Sequence, residues 1–313
     1  MSEATEIRKV AIVGAGLIGV SWATVFCAAG IDVSIFDASE EQRQSALGRL
    51  DANLKLLRES GLHGAEDAHG KAVVYDQLED AVATADYVQE SVLETIEAKS
   101  RVARELDALV GSKTLVGSSS SGIPASAFTE DLANRDRFFV VHPVNPPHLI
   151  PVVEIVPAPW SDTAHIPVLR ALMEDIGQEP MVVQREIEGF VLNRLQGALL
   201  NEAWALYREG YASADDIDRT VRAGLGLRWS LMGPFETIDL NAPGGIADYA
   251  ARLEPLYQSV AQSRTEPQAW SVGAIARAKE ELAQTFAGQS REARARRRDE
   301  WLLALKQAKA ERD

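Results

Sequence analysis

The chain has 313 residues, 46% hydrophobic and 25% charged, which is enough for two domains and a sizeable core. Its formal net charge of −14 argues against a broad nucleic-acid-binding or anionic-membrane surface, so an anionic ligand must be held by local arginines, lysines or backbone N–H groups. The single cysteine, Cys27, rules out an intrachain disulfide. No apolar run is long enough to cross a bilayer, and the polar start of the chain gives no sign of a secretory signal. A cytoplasmic protein without a metal is expected.

In chain order, the first element is an apolar strand over residues 9–13. It enters the turn Gly14-Ala15-Gly16-Leu17-Ile18-Gly19, which opens a helix. In a G-x-G-x-x-G turn the first glycine permits the tight bend and the second lets the backbone approach a pyrophosphate. The third lets helix and strand pack closely, and the helix N-terminus offers free N–H groups to the anion. Gly30 closes the next turn. A second strand, 31–36, ends at Asp37, 18 residues beyond Gly19, where the ribose-binding acid of a βαβ unit belongs. The spacing predicts NAD rather than NADP, because a 2′-phosphate would meet the Asp37 charge.

Leu47, Leu50, Leu54 and Leu57 predict a helix over 40–59. A strand over 87–92 and a helix over 96–109 follow, then a strand over 115–117 running into four serines, 118–121. The strand 138–141 ends at His142. Further strands are expected at 152–156 and 181–183, with a helix over 166–176 between them, closed by Gly177. This alternation predicts an α/β domain of Rossmann type over residues 1–185. From Gly189 onward helical periodicity dominates, with helices over 190–208, 214–223, 246–262, 269–285 and 291–309. An all-helical C-terminal domain over 186–313 is therefore expected. Its last helix carries Arg294, Arg296, Arg297 and Arg298, but apolar Trp301, Leu302 and Leu305 make it an amphipathic helix rather than a nucleic-acid patch.

A nicotinamide cofactor brings the redox chemistry, and the protein must add positioning and a proton acceptor. His142 stands at a strand end, the edge where open α/β sheets bind ligands. Glu154 follows 12 residues on, and antiparallel pairing of the two segments would set it beside the imidazole. The pair is either a base with its orienting carboxylate or a structural histidine with an edge charge. The four serines are either turn formers or donors to a substrate oxygen. Asn193 either faces a crevice between domains or sits on a helix surface.

These residues resemble the 3-hydroxyacyl-CoA dehydrogenase superfamily over nearly the whole chain. The motifs are Gly14–Gly19, Asp37, Glu90-Ser91-Val92-Leu93-Glu94 with Lys99, the serine run, His142-Pro143-Val144-Asn145-Pro146, Glu154 and Gly189-Phe190-Val191-Leu192-Asn193-Arg194. The segments Gly224-Leu225-Gly226-Leu227-Arg228 and Gly233-Pro234-Phe235-Glu236-Thr237 are most similar to its lambda-crystallin / L-gulonate 3-dehydrogenase branch, with L-carnitine dehydrogenases as a neighbouring branch. The resemblance implies NAD-dependent oxidation of a 3-hydroxyl. It implies His142 as base, Glu154 as its partner, Ser121 and Asn193 on the substrate oxygen, and Glu94 and Lys99 near the nicotinamide ribose. It also points to a homodimer.

The acyl-CoA enzymes of that superfamily carry a long lysine-rich hairpin after the second strand. Residues 50–75 here are short and balanced in charge, which favours a small free hydroxy acid over a thioester. Arg228 is a candidate for its carboxylate. L-Carnitine and 3-hydroxyacyl-CoA are alternative substrates, and a non-catalytic, crystallin-like dinucleotide-binding protein is the alternative of another class.

Overall fold

A computed structural model describes residues 7–60, 70–264 and 270–311. The chain divides into two compact units, Met1–Arg194 with Arg291–Asp313, and Leu195–Ser290. In the first unit eight strands form one sheet: β1 (Lys9–Val13), β2 (Asp32–Phe36), β3 (Ala72–Val74), β4 (Tyr87–Glu90), β5 (Leu115–Ser118), β6 (Phe138–Pro143), β7 (Val152–Pro157) and β8 (Glu179–Val182). Their order is β3-β2-β1-β4-β5-β6-β7-β8. Every neighbouring pair is parallel except β6 and β7. Strand order reverses beside β1, where β2 lies on one flank and β4 on the other. That switch point opens a crevice at the carboxyl ends of β1 and β4.

Strand periodicity divides the core between the two faces. Val10 and Ile12 of β1 face one cluster, with Trp22 and Phe26 of α1 (Leu17–Ala28), Leu50 and Leu54 of α2 (Glu40–Glu59), and Leu169 of α6 (Ile166–Asp175). Ala11 and Val13 face the other, with Val82 of α3 (Leu78–Val82), Leu106 of α4 (Ile96–Leu109) and Phe128 of α5 (Ser126–Thr129). Helix α1 is buried from Gly19 through Cys27 and so has no polar face. Burial pushes the Cys27 thiol up to about 12, in keeping with a core residue rather than a nucleophile. The strand β3 had no signal in the sequence. Three residues are too few to show an alternation, and the preceding 61–69 lie outside the described residues.

The helical unit holds most of α7 (Leu192–Arg208), then α8 (Ala214–Thr220), α9 (Gly226–Trp229), α10 (Pro234–Leu240), α11 (Gly245–Gln262) and α12 (Val272–Thr285). Ser213 caps α8 by accepting the Asp216 N–H at 3.1 Å. Arg264 ties α7 to the residue that follows it, with Nε 2.9 Å from Glu202 and Nη1 2.8 Å from Glu209. Trp204 and Trp270 pack with ring centroids 5.5 Å apart. Helix α7 starts two residues later than its periodicity predicts, because Gly189 and Phe190 take φ of +74° and +50°.

The last helix, α13 (Arg291–Ala310), departs from the expected 186–313 grouping. It packs with the α/β unit, where Leu303 joins Leu57 of α2 and Leu149, and Leu302 borders the same cluster. Gln307 Nε2 donates to the Ser60 carbonyl. A helix goes where its apolar stripe is best covered, and here that cover is the α/β surface.

The loop after β6 is pinned to α1. Ser21 Oγ accepts the His148 N–H at 3.2 Å, so its own proton serves His148 Nδ1 at 2.5 Å. Burial pushes the His148 pKa down from 6.5 to about 4. The unfolded chain then binds a proton below pH 6.5 that the folded chain refuses until about pH 4. Stability is lost as pH falls through this window, by roughly 3 kcal/mol. Urea midpoints at pH 7 and pH 4.5 should differ less for His148→Gln, which cannot titrate there, than for the wild type.

Candidate active site

At the switch point, Gly14 has φ +102°, and a Cβ there would stand 2.5 Å from the Ser91 carbonyl oxygen. A Cβ on Gly19 would stand 1.8 Å from the Gly14 oxygen, so both positions exclude side chains. A Cβ on Gly16 meets nothing within 4 Å, which leaves open space in front of the turn. The N–H groups of Leu17, Ile18 and Gly19, in the first turn of α1, have no acceptor within the helix. Open space plus free donors fits a pyrophosphate. Asp37 accepts the Ala15 N–H at 2.6 Å and the Ser39 N–H at 2.8 Å, which fixes its carboxylate at the end of β2. Arg43 donates to the Asp37 carbonyl oxygen at 2.7 Å and lies 3.3 Å from Asp76.

The four serines at the end of β5 have four different fates. Ser118 donates to Glu90 Oε2. Ser119 Oγ accepts from Gln89 Nε2 at 2.7 Å and Trp22 Nε1 at 3.2 Å, which leaves its proton for Ser91 Oγ at 2.8 Å. Ser120 Oγ lies 2.8 Å from Glu94 Oε1 and 2.7 Å from the Ile123 carbonyl. Ser121 is exposed. Its backbone is held on both sides, by Glu94 on its N–H and by Asn193 Nδ2 on its carbonyl, yet its hydroxyl bonds no described group.

Glu94 and Lys99 hold this loop. Glu94 Oε1 accepts Ser120 Oγ and Ser121 N at 2.8 Å and Gly122 N at 3.2 Å. Its Oε2 lies 3.3 Å from Lys99 Nζ, which also lies 3.2 Å from Glu90 Oε1. Burial works to raise the Glu94 carboxyl, but the Lys99 ammonium and the three donors outweigh it and hold the group below its ordinary range. The Lys99 side chain is 1% exposed, so its charge is spent inside the protein, while Glu94 keeps 42% exposure.

His142 on β6 is directly opposite Glu154 on β7 in the antiparallel register. His142 Nδ1 donates to Glu154 Oε2 at 2.8 Å. Glu154 Oε1 accepts the N–H groups of Val191 and Leu192 at 2.8 and 2.9 Å. Glu154 is fully buried. Burial works to raise its carboxyl, but the His142 bond and the two backbone donors prevail and hold it low, so it remains charged. A charged acceptor on Nδ1 fixes the proton there and leaves Nε2, which bonds no described group, with a free lone pair. The Phe190 ring lies 5.7 Å from the imidazole.

The structure thus brings His142, Glu154, Ser121, Asn193 and Glu94 into one connected set at the sheet edge. Asp37 and the glycine turn stand at the neighbouring strand ends. Arg228, exposed on α9, belongs to the helical unit. Sequence reasoning missed Gln89 and gave no role to Glu90 or Phe190, which entered only as members of motifs. The two polar side chains on β4 are buried, an exception to a fully covered strand that marks a polar network.

Two family models match most of the chain. The NAD binding domain of 3-hydroxyacyl-CoA dehydrogenase matches residues 9–187, and its C-terminal domain matches 189–281. The chain belongs to the 3-hydroxyacyl-CoA dehydrogenase family. It is an NAD-dependent dehydrogenase. It is 35% identical to the human lambda-crystallin homolog over 308 residues, 96% of each chain. It is 36% identical to an L-carnitine dehydrogenase of Oceanobacillus iheyensis over 248 residues, 79% of this chain and 80% of the other. The crystal structure of 5-formyl-3-hydroxy-2-methylpyridine 4-carboxylic acid 5-dehydrogenase, an NAD+ dependent dismutase, superposes with a TM-score of 0.84 at 26% identity, over 98% of this chain and all of that one. No helix among the described residues is long and apolar enough to cross a membrane.

Two expectations follow for this dehydrogenase. With Asp37 held at the end of β2, kcat/KM for NAD exceeds that for NADP, and Asp37→Ala narrows the gap; a steady-state comparison of the two cofactors checks this. Lys99→Met leaves Glu90 and Glu94 without their buried counter-charge and lowers stability by about 3–5 kcal/mol, read from denaturant midpoints.

Proposed function

We propose that the dehydrogenase oxidises the 3-hydroxyl of a small free hydroxy acid, L-gulonate-like, with His142 as the proton acceptor. The observation that carries this reading is the free Nε2 of an imidazole whose Nδ1 is committed to a buried carboxylate, on the same connected set as the unbonded Ser121 hydroxyl. NAD, when bound on the glycine turn, supplies the hydride acceptor. The chain's own residues do the rest. Ser121 and Asn193 hold the substrate oxygen. Nε2 takes the hydroxyl proton. Glu154 stays ionised and stabilises the imidazolium that results. Glu94, with Lys99 behind it, stands at the edge expected to meet the nicotinamide ribose.

The preference for a free acid rests on charge. A CoA brings several phosphates and calls for clustered cations. In the described part of 50–75, Lys55 sits 3.7 Å from Glu59 instead. The names of two similar proteins, an L-carnitine dehydrogenase and a pyridine 4-carboxylic acid dehydrogenase, also specify free acids. Arg228 is proposed as the carboxylate contact. The helical unit exposes Leu227, Leu231, Phe235, Leu240 and Val272, which supports a homodimer formed through it. The buried thiol of the single cysteine is compatible with a cytoplasmic setting.

NADH formation from a panel of L-gulonate, L-carnitine and 3-hydroxybutyryl-CoA tests the substrate. Turnover is expected with L-gulonate, highest kcat/KM with L-carnitine or the thioester assigns one of the alternatives, and none with any of the three overturns the L-gulonate-like reading. His142→Ala abolishes most turnover while NADH affinity stays near that of the wild type. In Glu154→Gln the amide oxygen takes the two backbone N–H groups, so the NH2 faces Nδ1. The imidazole proton then moves to Nε2, the position that must accept. The expected loss in kcat is about 10²–10⁴-fold, with the acidic limb of the pH–rate profile moved downward. Light scattering at dilute and concentrated loading should give a dimer mass at both.

A further inference from the structure

Phe190 is the only non-glycine residue with a positive φ among those described, and its side chain is fully buried. Residues with a Cβ avoid the left-handed region, so a buried aromatic held there needs a reason. Two contacts supply one. Gly189 and Phe190, at φ +74° and +50°, bend the chain so that the next two N–H groups, of Val191 and Leu192, both meet Glu154 Oε1 at 2.8 and 2.9 Å. The Phe190 N–H closes the bend onto the Ile187 carbonyl at 3.0 Å. The ring of the same residue packs on the His142 imidazole, with centroids 5.7 Å apart and planes at 54°.

We propose that Phe190 is a positioning residue for the base: its backbone aims two donors at the far oxygen of Glu154, and its ring fixes the plane of His142. The proposal rests on the reading of His142 as proton acceptor. Glycine at 190 would adopt the same backbone without strain, but would leave one flank of the imidazole uncovered. The strain is kept because one residue must supply both the bend and the ring. A bend without the ring leaves His142 free to tilt, and a ring without the bend leaves Glu154 Oε1 without its donors.

Loss of the ring acts on geometry. An imidazole free to tilt no longer holds its Nδ1–H on Glu154 Oε2, and that bond is what selects the tautomer. Glu154 is the charged group bonded to His142 among the described residues.

The test uses full-length Phe190→Gly and Phe190→Leu, the second keeping most of the buried volume should the first fail to fold. Three quantities are read: kcat with the panel compound that the wild type oxidises, NADH affinity by fluorescence, and the tautomer of His142 by 15N-histidine NMR, its signal assigned by loss in His142→Gln. For Phe190→Leu, kcat is expected to fall about tenfold. NADH affinity should stay within about twofold, and an Nε2-protonated signal should appear beside the Nδ1-protonated one. Phe190→Gly should show the larger change in each. A folded Phe190→Leu protein with the wild-type kcat and the wild-type tautomer overturns the proposal. Wild-type turnover in His142→Gln overturns the reading of His142 as base instead, while the tautomer signal judges the role of Phe190 without any substrate.

Discussion

The rest of the site depends on one buried charge. Glu154 has no exposed surface, and an isolated carboxylate in that position would be neutral. It stays ionised because three donors converge on it: the His142 ring from β6, and two backbone N–H groups from the start of α7. Burial and hydrogen bonding push the carboxyl in opposite directions, and the donors prevail. The antiparallel β6–β7 pair in an otherwise parallel sheet makes this arrangement reachable, since it sets His142 directly across from Glu154. A slip of one residue in that register would turn one partner to the opposite face of the sheet.

The same economy holds at the end of β5. Four consecutive serines look interchangeable as sequence, yet three are consumed by internal bonds to Glu90, Ser91 and Glu94. Only the fourth has a hydroxyl that bonds no described group, and the loop that carries it is fixed by Glu94 in front and Lys99 behind. Lys99 and Glu94 thereby divide one ion pair into an inner, structural end and an outer end open to a ligand. Precise placement of Ser121 thus comes from a carboxylate 27 residues away rather than from the rigidity of its own loop.

The parts of this arrangement that were legible in the sequence are those fixed by local pattern. The glycine turn is read from strand, turn, helix and acid in order, because each glycine answers a separate steric demand, and the contacts at Gly14 and Gly19 show those demands. His142 and Glu154 could be paired because a 12-residue separation across an antiparallel connection brings them level. What was not legible arises from distant chain. Ser21 and His148 meet 127 residues apart, and nothing at either position announces the other. The left-handed backbone at Phe190 runs against the preference of an aromatic residue, so tertiary contacts impose it and no local signal predicts it. The role of Lys99 as an internal counter-charge becomes visible only once β4, β5 and α4 lie side by side. The placement of α13 escaped for a similar reason, since an amphipathic pattern tells that a stripe will be buried but not against what.

The packing of α13 bears on how the molecule is made. The α/β strands are synthesised before the helical unit, but the Leu57–Leu149–Leu303 cluster that covers one of their flanks includes a residue from α13, a twenty-residue helix on the far side of that unit. Domains usually fold as units during synthesis, N-terminal first. Here the first domain has to wait with an apolar flank uncovered until the helical unit between has been translated. A nascent chain arrested at any point between the α/β strands and α13 therefore carries an unfinished α/β surface.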